Sequence, residues 1–270
     1  MKNLLRSKRT LIVGILNITP DSFSDGGLFF DKEKAIAHAK EMIQEGADII
    51  DIGGESTKPG SDPVSEEEEL KRVKPIIERL RKETAVPVSI DTYKPRVAEE
   101  CLKLGVRIVN DVTGLRNEEM IKVVARYKAP VVIMHMKGEP KSMQENPTYT
   151  DVVQEIKEFF EERIQAAREA GIQDIILDPG IGFGKTVEHN LQILKRLGEF
   201  KELGYPILVG TSRKSFIGKL NDGVPVEQRL EGSLASMVIA IMSGATMVRV
   251  HDVKPAKRAI QIADAIKYIG

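Results

Sequence analysis

The sequence predicts an α/β fold, a single (β/α)8 TIM barrel with a parallel eight-stranded barrel, forming one domain over residues 1–270. Three observations lead there. Short runs rich in Val and Ile recur along the chain. Each is followed by a longer charged stretch whose apolar residues return at helical spacing, and no Ser/Pro-rich linker or low-complexity segment divides them. An open doubly wound sheet is the alternative, but such sheets carry a Gly-rich dinucleotide turn early, and none follows the first run here.

The strand runs, in order, are TLIVGILNI from Thr10, ADIIDIG from Ala47, PVSID from Pro87 and VRIVNDV from Val106, then PVVIMHM from Pro130, DIILDPG from Asp174, YPILVGT from Tyr205 and TMVRVHD from Thr246. Runs this apolar, without clean alternation, suit parallel strands covered on both faces. Between them lie amphipathic stretches such as DKEKAIAHAKEMIQEG and DVVQEIKEFFEERIQAAREAG. Several close on a glycine (Gly46, Gly105, Gly171, Gly204 and Gly244), the usual helix stop. DPVSEEEELKRV places acidic residues over the positive end of a helix and reads as a solvated helix start. EGSLASMVIAIMSGA is apolar nearly all round, which suits either burial or a subunit contact.

Bulk properties exclude several function classes. Forty basic residues balance forty acidic ones, so no excess field points to nucleic acid or to an anionic membrane surface. With 41% hydrophobic and 30% charged residues the chain has material for a sizeable core, and no run approaches the ~20 apolar residues of a bilayer span. The lone Cys101 cannot form an internal disulfide and the first residues show no cleavage pattern, so the expected location is cytoplasmic.

In a barrel of this kind the strand ends that feed the helices build the site. Seven of the eight runs end in polar groups: Asn17, the GGESTKPG segment, Asp91, Asn110 with Asp111, Asp178, Arg213 with Lys214, and Arg249 with His251. Each alone is a common turn or cap residue; together they should converge on one mouth. Arg249 and His251 lie two apart on one strand, hence on one face, and suit an anionic group such as phosphate. Mg²⁺ is compatible, because it needs few protein oxygens beside those of a phosphate. No zinc-spaced cluster or nucleophile elbow is present. His38 and His189 read as structural, and His135 is open to either reading. PGIGFGKT fails the phosphate-loop pattern at Pro179 and survives only as a turn whose backbone can approach a ligand. Asp and Asn at strand ends can hold the amidine-like edge of a planar, nitrogen-rich ring.

The motifs NITPDSFSDGG, DIGGESTKPG, SIDT, NDVTG, MHMKGEPKSMQENP, LDPGIGFGK, GTSRKSFIG and RVHDV occur in this order over nearly the whole chain, which resembles the dihydropteroate synthases. The resemblance implies a (β/α)8 barrel, usually a homodimer, acting in folate biosynthesis. Such enzymes join 6-hydroxymethyl-7,8-dihydropterin diphosphate to p-aminobenzoate, with Mg²⁺ assisting the release of diphosphate, and are the target of sulfonamides. Carried over by motif, Asp91, Asn110, Asp178, Lys214 and Arg249 resemble the pterin site. Asn17, Thr57, Arg249 and His251 resemble the diphosphate site, with Asn17 beside the metal. Phe23, Ser24, Thr57, Pro59, Phe183 and Ser215 resemble the p-aminobenzoate pocket, and Asp25 joins Asp91, Lys214, Arg249 and His251 among the catalytic positions. Residues 19–27 would form a lid that excludes water from a reactive cation. Lys58 and Thr113 depart from the family's common Arg and Ser. The rival readings are a methyltetrahydrofolate:corrinoid methyltransferase, which would not need the diphosphate motifs, and a non-catalytic pterin-binding paralogue.

Overall fold

The structure, a computed structural model, describes residues 2–5, 7–19, 28–56, 61–138 and 143–269. Eight strands alternate with helices: β1 Leu11–Asn17, β2 Ile49–Gly53, β3 Val88–Asp91, β4 Ile108–Asp111, β5 Val131–Met134, β6 Ile175–Asp178, β7 Leu208–Val209 and β8 Met247–Val250. The order is β6-β5-β4-β3-β2-β1-β8-β7 and every pairing is parallel. A parallel bridge from Leu177 to Ile207 joins the two ends, which makes the expected (β/α)8 barrel. The seventh strand is shorter than its apolar run because Pro206 has no N–H to give a ladder and Ile207 makes only that bridge.

The helices are α1 Lys2–Leu5, α2 Leu28–Glu45, α3 Glu66–Glu83, α4 Pro95–Lys103, α5 Glu118–Tyr127, α6 Val152–Glu169, α7 Val187–Lys195, α8 Ser215–Leu220, α9 Leu230–Ser243 and α10 Val253–Lys267. Their starts follow local chemistry. Ser65, Asn117 and Asp151 accept backbone N–H groups at the N-caps of α3, α5 and α6, Pro95 opens α4, and Thr186 with His189 forms a capping box on α7. That box, and the His38 pair with Glu41 at 3.1 Å, give both histidines structural roles. The expected helix-stopping glycines all adopt positive φ. The acidic run that starts α3 differs from expectation at one residue. Glu69 is buried and ion-pairs with Lys94 at 2.6 Å, because the first turn of α3 leans over the mouth of β2 and β3. None of the described helices is long and apolar enough to cross a membrane.

Side-chain alternation sorts the barrel into layers. Leu11, Val13, Ile49, Ile108, Val132, Ile176, Leu208 and Met247 point inward and fill the axis, with Leu4 and Leu5 of α1 packed beneath them. The remaining void there is about 10 Å3, roughly one water's room, so the barrel is a packed core and not a pore. The other strand face packs against the helices in a second, larger core. Two residues farther along β2, β4, β6 and β8 the inward positions become Asp51, Asn110, Asp178 and Arg249, and there the functional layer begins.

Candidate active site

The inward parity of the core layer carries upward to Asp51 on β2, Ser89 and Asp91 on β3, Asn110 on β4, Asp178 on β6 and Arg249 on β8. Asp91 and Asn110 occupy paired positions on neighbouring strands, as do Asn17 and Gly53. Glycine at 53 keeps the centre open: a Cβ there would stand 3.6 Å from Asn17 Oδ1 and 3.7 Å from Asp91 Cβ. Asn17, at the end of β1, is half-buried at the rim.

Arg249 organises the floor. Its Nε donates to Asp51 Oδ2 at 2.6 Å and its Nη2 to Asp91 Oδ2 at 2.7 Å. Asp51 also accepts Asn110 Nδ2 at 3.2 Å and the Ser89 hydroxyl. Two acceptor atoms are left buried without a partner among the described residues at this level, Asp91 Oδ1 and Asn110 Oδ1. A buried acceptor left unpaired costs about 1–3 kcal/mol, so this floor is built for a donor that a ligand brings. Burial pushes the Asp91 carboxyl up to about 7 against the pull of Arg249, with Asp51 and Glu69 adding to the rise. Burial also works against the Arg249 charge, but Asp51 and Asp91 outweigh it and hold the guanidinium above its ordinary value.

Across the mouth, Asp178 accepts the Gly180 N–H at 2.8 Å, and burial raises its pKa against that bond and against Lys214. Burial and the nearby Arg249 bring Lys214 down to about 8, while Asp178 and Asp91 pull the other way. Its Nζ sits 4.0 Å from the centre of the Phe183 ring, a cation–π contact. The turn that aims Lys214 is strained and braced. Arg213 has φ 59, its N–H donates to Ser233 Oγ at 2.9 Å, and its guanidinium forks onto Asp252 at 3.0 and 2.6 Å. Ser215 follows, exposed, as the first residue of α8.

His251 lies just beyond β8, and its backbone N–H donates to Ser212 Oγ at 3.2 Å while its Nδ1 lies 3.0 Å from the same oxygen. The hydroxyl, already accepting that N–H, donates to Nδ1, which leaves the ring proton on Nε2. Burial, with Arg249 adding, drops the imidazole to about 3, so it offers an anion a neutral donor and no charge.

An apolar wall completes the mouth: Val112, Met134, Met136, Met143 and Phe183, with Tyr93 against it. Sequence reasoning missed its methionines, and it missed Asp51, although Asp51 sits two residues before Gly53 on an inward register. His135, open in the sequence, turns outward between Met134 and Met136. Its Nδ1 and carbonyl oxygen lie 3.0 and 3.2 Å from Lys185 Nζ, which also donates to Phe183 O at 3.0 Å, so this pair anchors the loop after β6. Two glycines of that loop lie close against backbone, and Gly182 lies against the Lys214 side chain. A Cβ on Gly180 would fall 1.9 Å from His135 O, and one on Gly184 2.2 Å from Lys137 O. Phe23, Ser24, Asp25, Thr57, Lys58 and Pro59 lie outside the described residues. The base of the second loop is nonetheless fixed. Glu55 accepts from Tyr93 Oη at 2.8 Å, pairs with Lys94 and accepts the Val64 N–H at 3.2 Å.

Among the described residues no cluster of three or more His, Cys, Asp or Glu side chains could hold a metal. At the rim the amide oxygen of Asn17, above an open glycine position, could serve as one ligand of a hydrated Mg²⁺ delivered with a phosphate.

Comparison with known proteins agrees with this geometry. The sequence pattern of one family, pterin binding enzyme, matches residues 13–251. The dihydropteroate synthase of Clostridium beijerinckii is 51% identical over 263 residues, covering 96% of this chain and 95% of the relative. The crystal structure of the Clostridium difficile dihydropteroate synthase in the presence of pteroic acid superposes with a TM-score of 0.91 at 52% identity, over 96% of this chain and 97% of the other. The Yersinia pestis dihydropteroate synthase in complex with a sulfonamide drug gives 0.92 at 45% identity, over 97% and 95%.

Proposed function

The chain belongs to the pterin-binding enzyme family, with the dihydropteroate synthases, and from that premise we propose that it condenses 6-hydroxymethyl-7,8-dihydropterin diphosphate with p-aminobenzoate by dissociative alkyl transfer. The observation that carries the reading is the pair of unpartnered acceptors, Asp91 Oδ1 and Asn110 Oδ1, facing inward on adjacent strands. A pterin's amidine edge presents N–H donors to such acceptors, and Asp178 adds a second carboxyl to the same mouth.

The residues divide the work. The C–O bond between the pterin methylene and diphosphate breaks, the electron pair leaves with diphosphate, and the resulting cation is delocalised over the ring. Asp91 stabilises that cation, and the ion pair to Arg249 keeps its carboxylate in place. His251 Nε2–H and the Asn17 amide meet the departing anion at the rim. Mg²⁺, held by Asn17 together with the diphosphate oxygens, would neutralise charge on the leaving group. The arylamine nitrogen then bonds to the methylene and gives up its proton to water, beside Phe183 and Ser215; the family resemblance assigns Thr57, Pro59, Phe23, Ser24 and Asp25 to the same substrate. No covalent enzyme intermediate is required. Sulfonamides, as p-aminobenzoate mimics, would compete in that pocket.

Incubation with pterin diphosphate, p-aminobenzoate and Mg²⁺ tests the reading by the appearance of dihydropteroate. Tight pterin binding without product would leave a binding protein; methyl transfer from methyltetrahydrofolate would point to the corrinoid reaction. Asp91→Asn should cut turnover by a factor on the order of 10²–10⁴ while the protein still folds. Near-normal synthesis by that variant would remove Asp91 from the mechanism.

A further inference from the structure

Asp51 lies one layer below the mouth, yet it determines what the mouth presents. Its carboxyl is 1% exposed and three donors converge on it: Arg249 Nε, Asn110 Nδ2 and the Ser89 hydroxyl. An amide has one donor end and one acceptor end. Because the acceptor Asp51 Oδ2 lies 3.2 Å from one end of the Asn110 amide, that end must be the NH2, and Oδ1 is turned away from Asp51. Oδ1 is the atom found buried and unpartnered, beside the equally unpartnered Asp91 Oδ1. Without Asp51 the two ends of the amide would be nearly equivalent, and a ligand could turn the side chain over to suit itself.

We propose that Asp51 is a specificity-determining positioning residue, which locks Asn110 so that its amide presents Oδ1 and not its NH2 beside Asp91 Oδ1, and so selects rings whose buried edge carries N–H donors. The inference rests on the pterin reading of the site and sharpens it. A 2-amino-4-oxo ring is accepted, whereas the same ring with a 2-oxo group sets carbonyl against carbonyl.

The test compares binding of 6-hydroxymethylpterin and 6-hydroxymethyl-lumazine by calorimetry in three proteins. The wild type should prefer the pterin by about 10- to 100-fold, the range expected when a buried acceptor is left unpaired. Asp51→Leu removes both acceptor oxygens and frees the Asn110 amide, so the preference should fall to within about threefold of unity, by weaker pterin binding and by relatively stronger lumazine binding. Asp51→Asn should keep most of the preference, since its NH2 can turn to Ser89 Oγ while its oxygen still accepts from Arg249 and Asn110. If Asp51→Leu does not fold, Asp51→Ser takes its place, because a hydroxyl both donates and accepts and so also releases the amide. A wild type that binds neither ring defeats the pterin reading itself. A wild type without preference, or a Leu or Ser variant that loses affinity for both rings equally and keeps the ratio, shows Asp51 to be mere support and overturns the inference.

Discussion

Replacing Arg249 by Met leaves a buried chain of similar reach and deletes the charge that Asp51 and Asp91 share. Removing one partner of a buried ion pair costs about 3–5 kcal/mol, because the remaining charge is stranded. Here the stranded groups are two carboxylates on neighbouring strands, and one of them relieves the repulsion by taking up a proton. Asp91 is the one, since burial already holds it near about 7 with Arg249 as the chief opposing influence, and Asp51 and Glu69 push it upward. Without the guanidinium its pKa must rise further. A carboxyl whose folded pKa lies above its unfolded value of 3.8 stabilises the fold while protonated and loses that contribution as pH rises through the folded pKa. In the wild type that loss is largely complete at pH 7. In Arg249→Met it continues above pH 7, at about 1.4 kcal/mol per pH unit. Lys214 acts in the same direction, because Arg249 is one cause of its depressed pKa. The stability gap between variant and wild type should therefore widen by about 1 kcal/mol or more from pH 7 to pH 8. Urea denaturation of both proteins at the two pH values, with equal m-values, reads the gap. A gap that does not change with pH, or a variant as stable as the wild type, would refute the shared-charge account of this floor.

Two further outcomes follow from the geometry. Pterin affinity should rise as pH passes about 7, where Asp91 ionises, and fall by about tenfold per unit above about 8, where Lys214 loses its charge. In Lys214→Met the upper limb should vanish, and a fall that survives the substitution assigns it to another group. The apolar helix that the sequence left open is buried on one side and exposed on the other. Met237, Ala240 and Ile241 are buried, while Ile239 and Met242 on α9 and Ile262 and Ile266 on α10 are about half exposed or more. If the homodimer that the family resemblance implies forms through this exposed face, sedimentation at micromolar concentration should give twice the chain mass and Ile239→Asp should halve it. A wild-type monomer would exclude the contact.

The sequence revealed the layers where one periodicity served one purpose. Apolar parallel strands, polar strand ends and helix stops are each a local signal, and Asn17, Asp91, Asn110, Asp178, Lys214 and Arg249 stood out because a polar residue closing an apolar run is conspicuous. Asp51 did not, because within ADIIDIG it reads as one polar interruption of a strand. Its meaning depends on Ser89, Asn110 and Arg249 arriving from three other strands. Lys185 was hidden for a related reason: a lysine after a Gly-rich turn looks like a solvent or phosphate group, and only the fold sets His135 and two carbonyls around it. His251 was legible in position and not in charge, since burial beside Arg249 is a property of the assembled mouth.

The way charges are spent in the pocket bears on how a substrate would enter it. Buried charges persist when paired, and Arg249 is already divided between Asp51 and Asp91, while Lys214 lies in the field of Asp178 and Asp91. An anion placed on this floor would have to compete with carboxylates for both cations. A neutral ring with N–H donors meets no such competition and satisfies Asp91 Oδ1 and Asn110 Oδ1. Among the described residues, the Asn17 amide and His251 Nε2–H are groups at the rim that could meet an anion. On the proposed reading this order fixes the substrate's direction, ring inward and diphosphate outward, and holds the bond between them at the level of the Phe183 wall, from which the arylamine approaches. A floor with unspent cations would invert that order and bury the leaving group. The carboxylates that look like a costly addition beneath Arg249 are what prevent it.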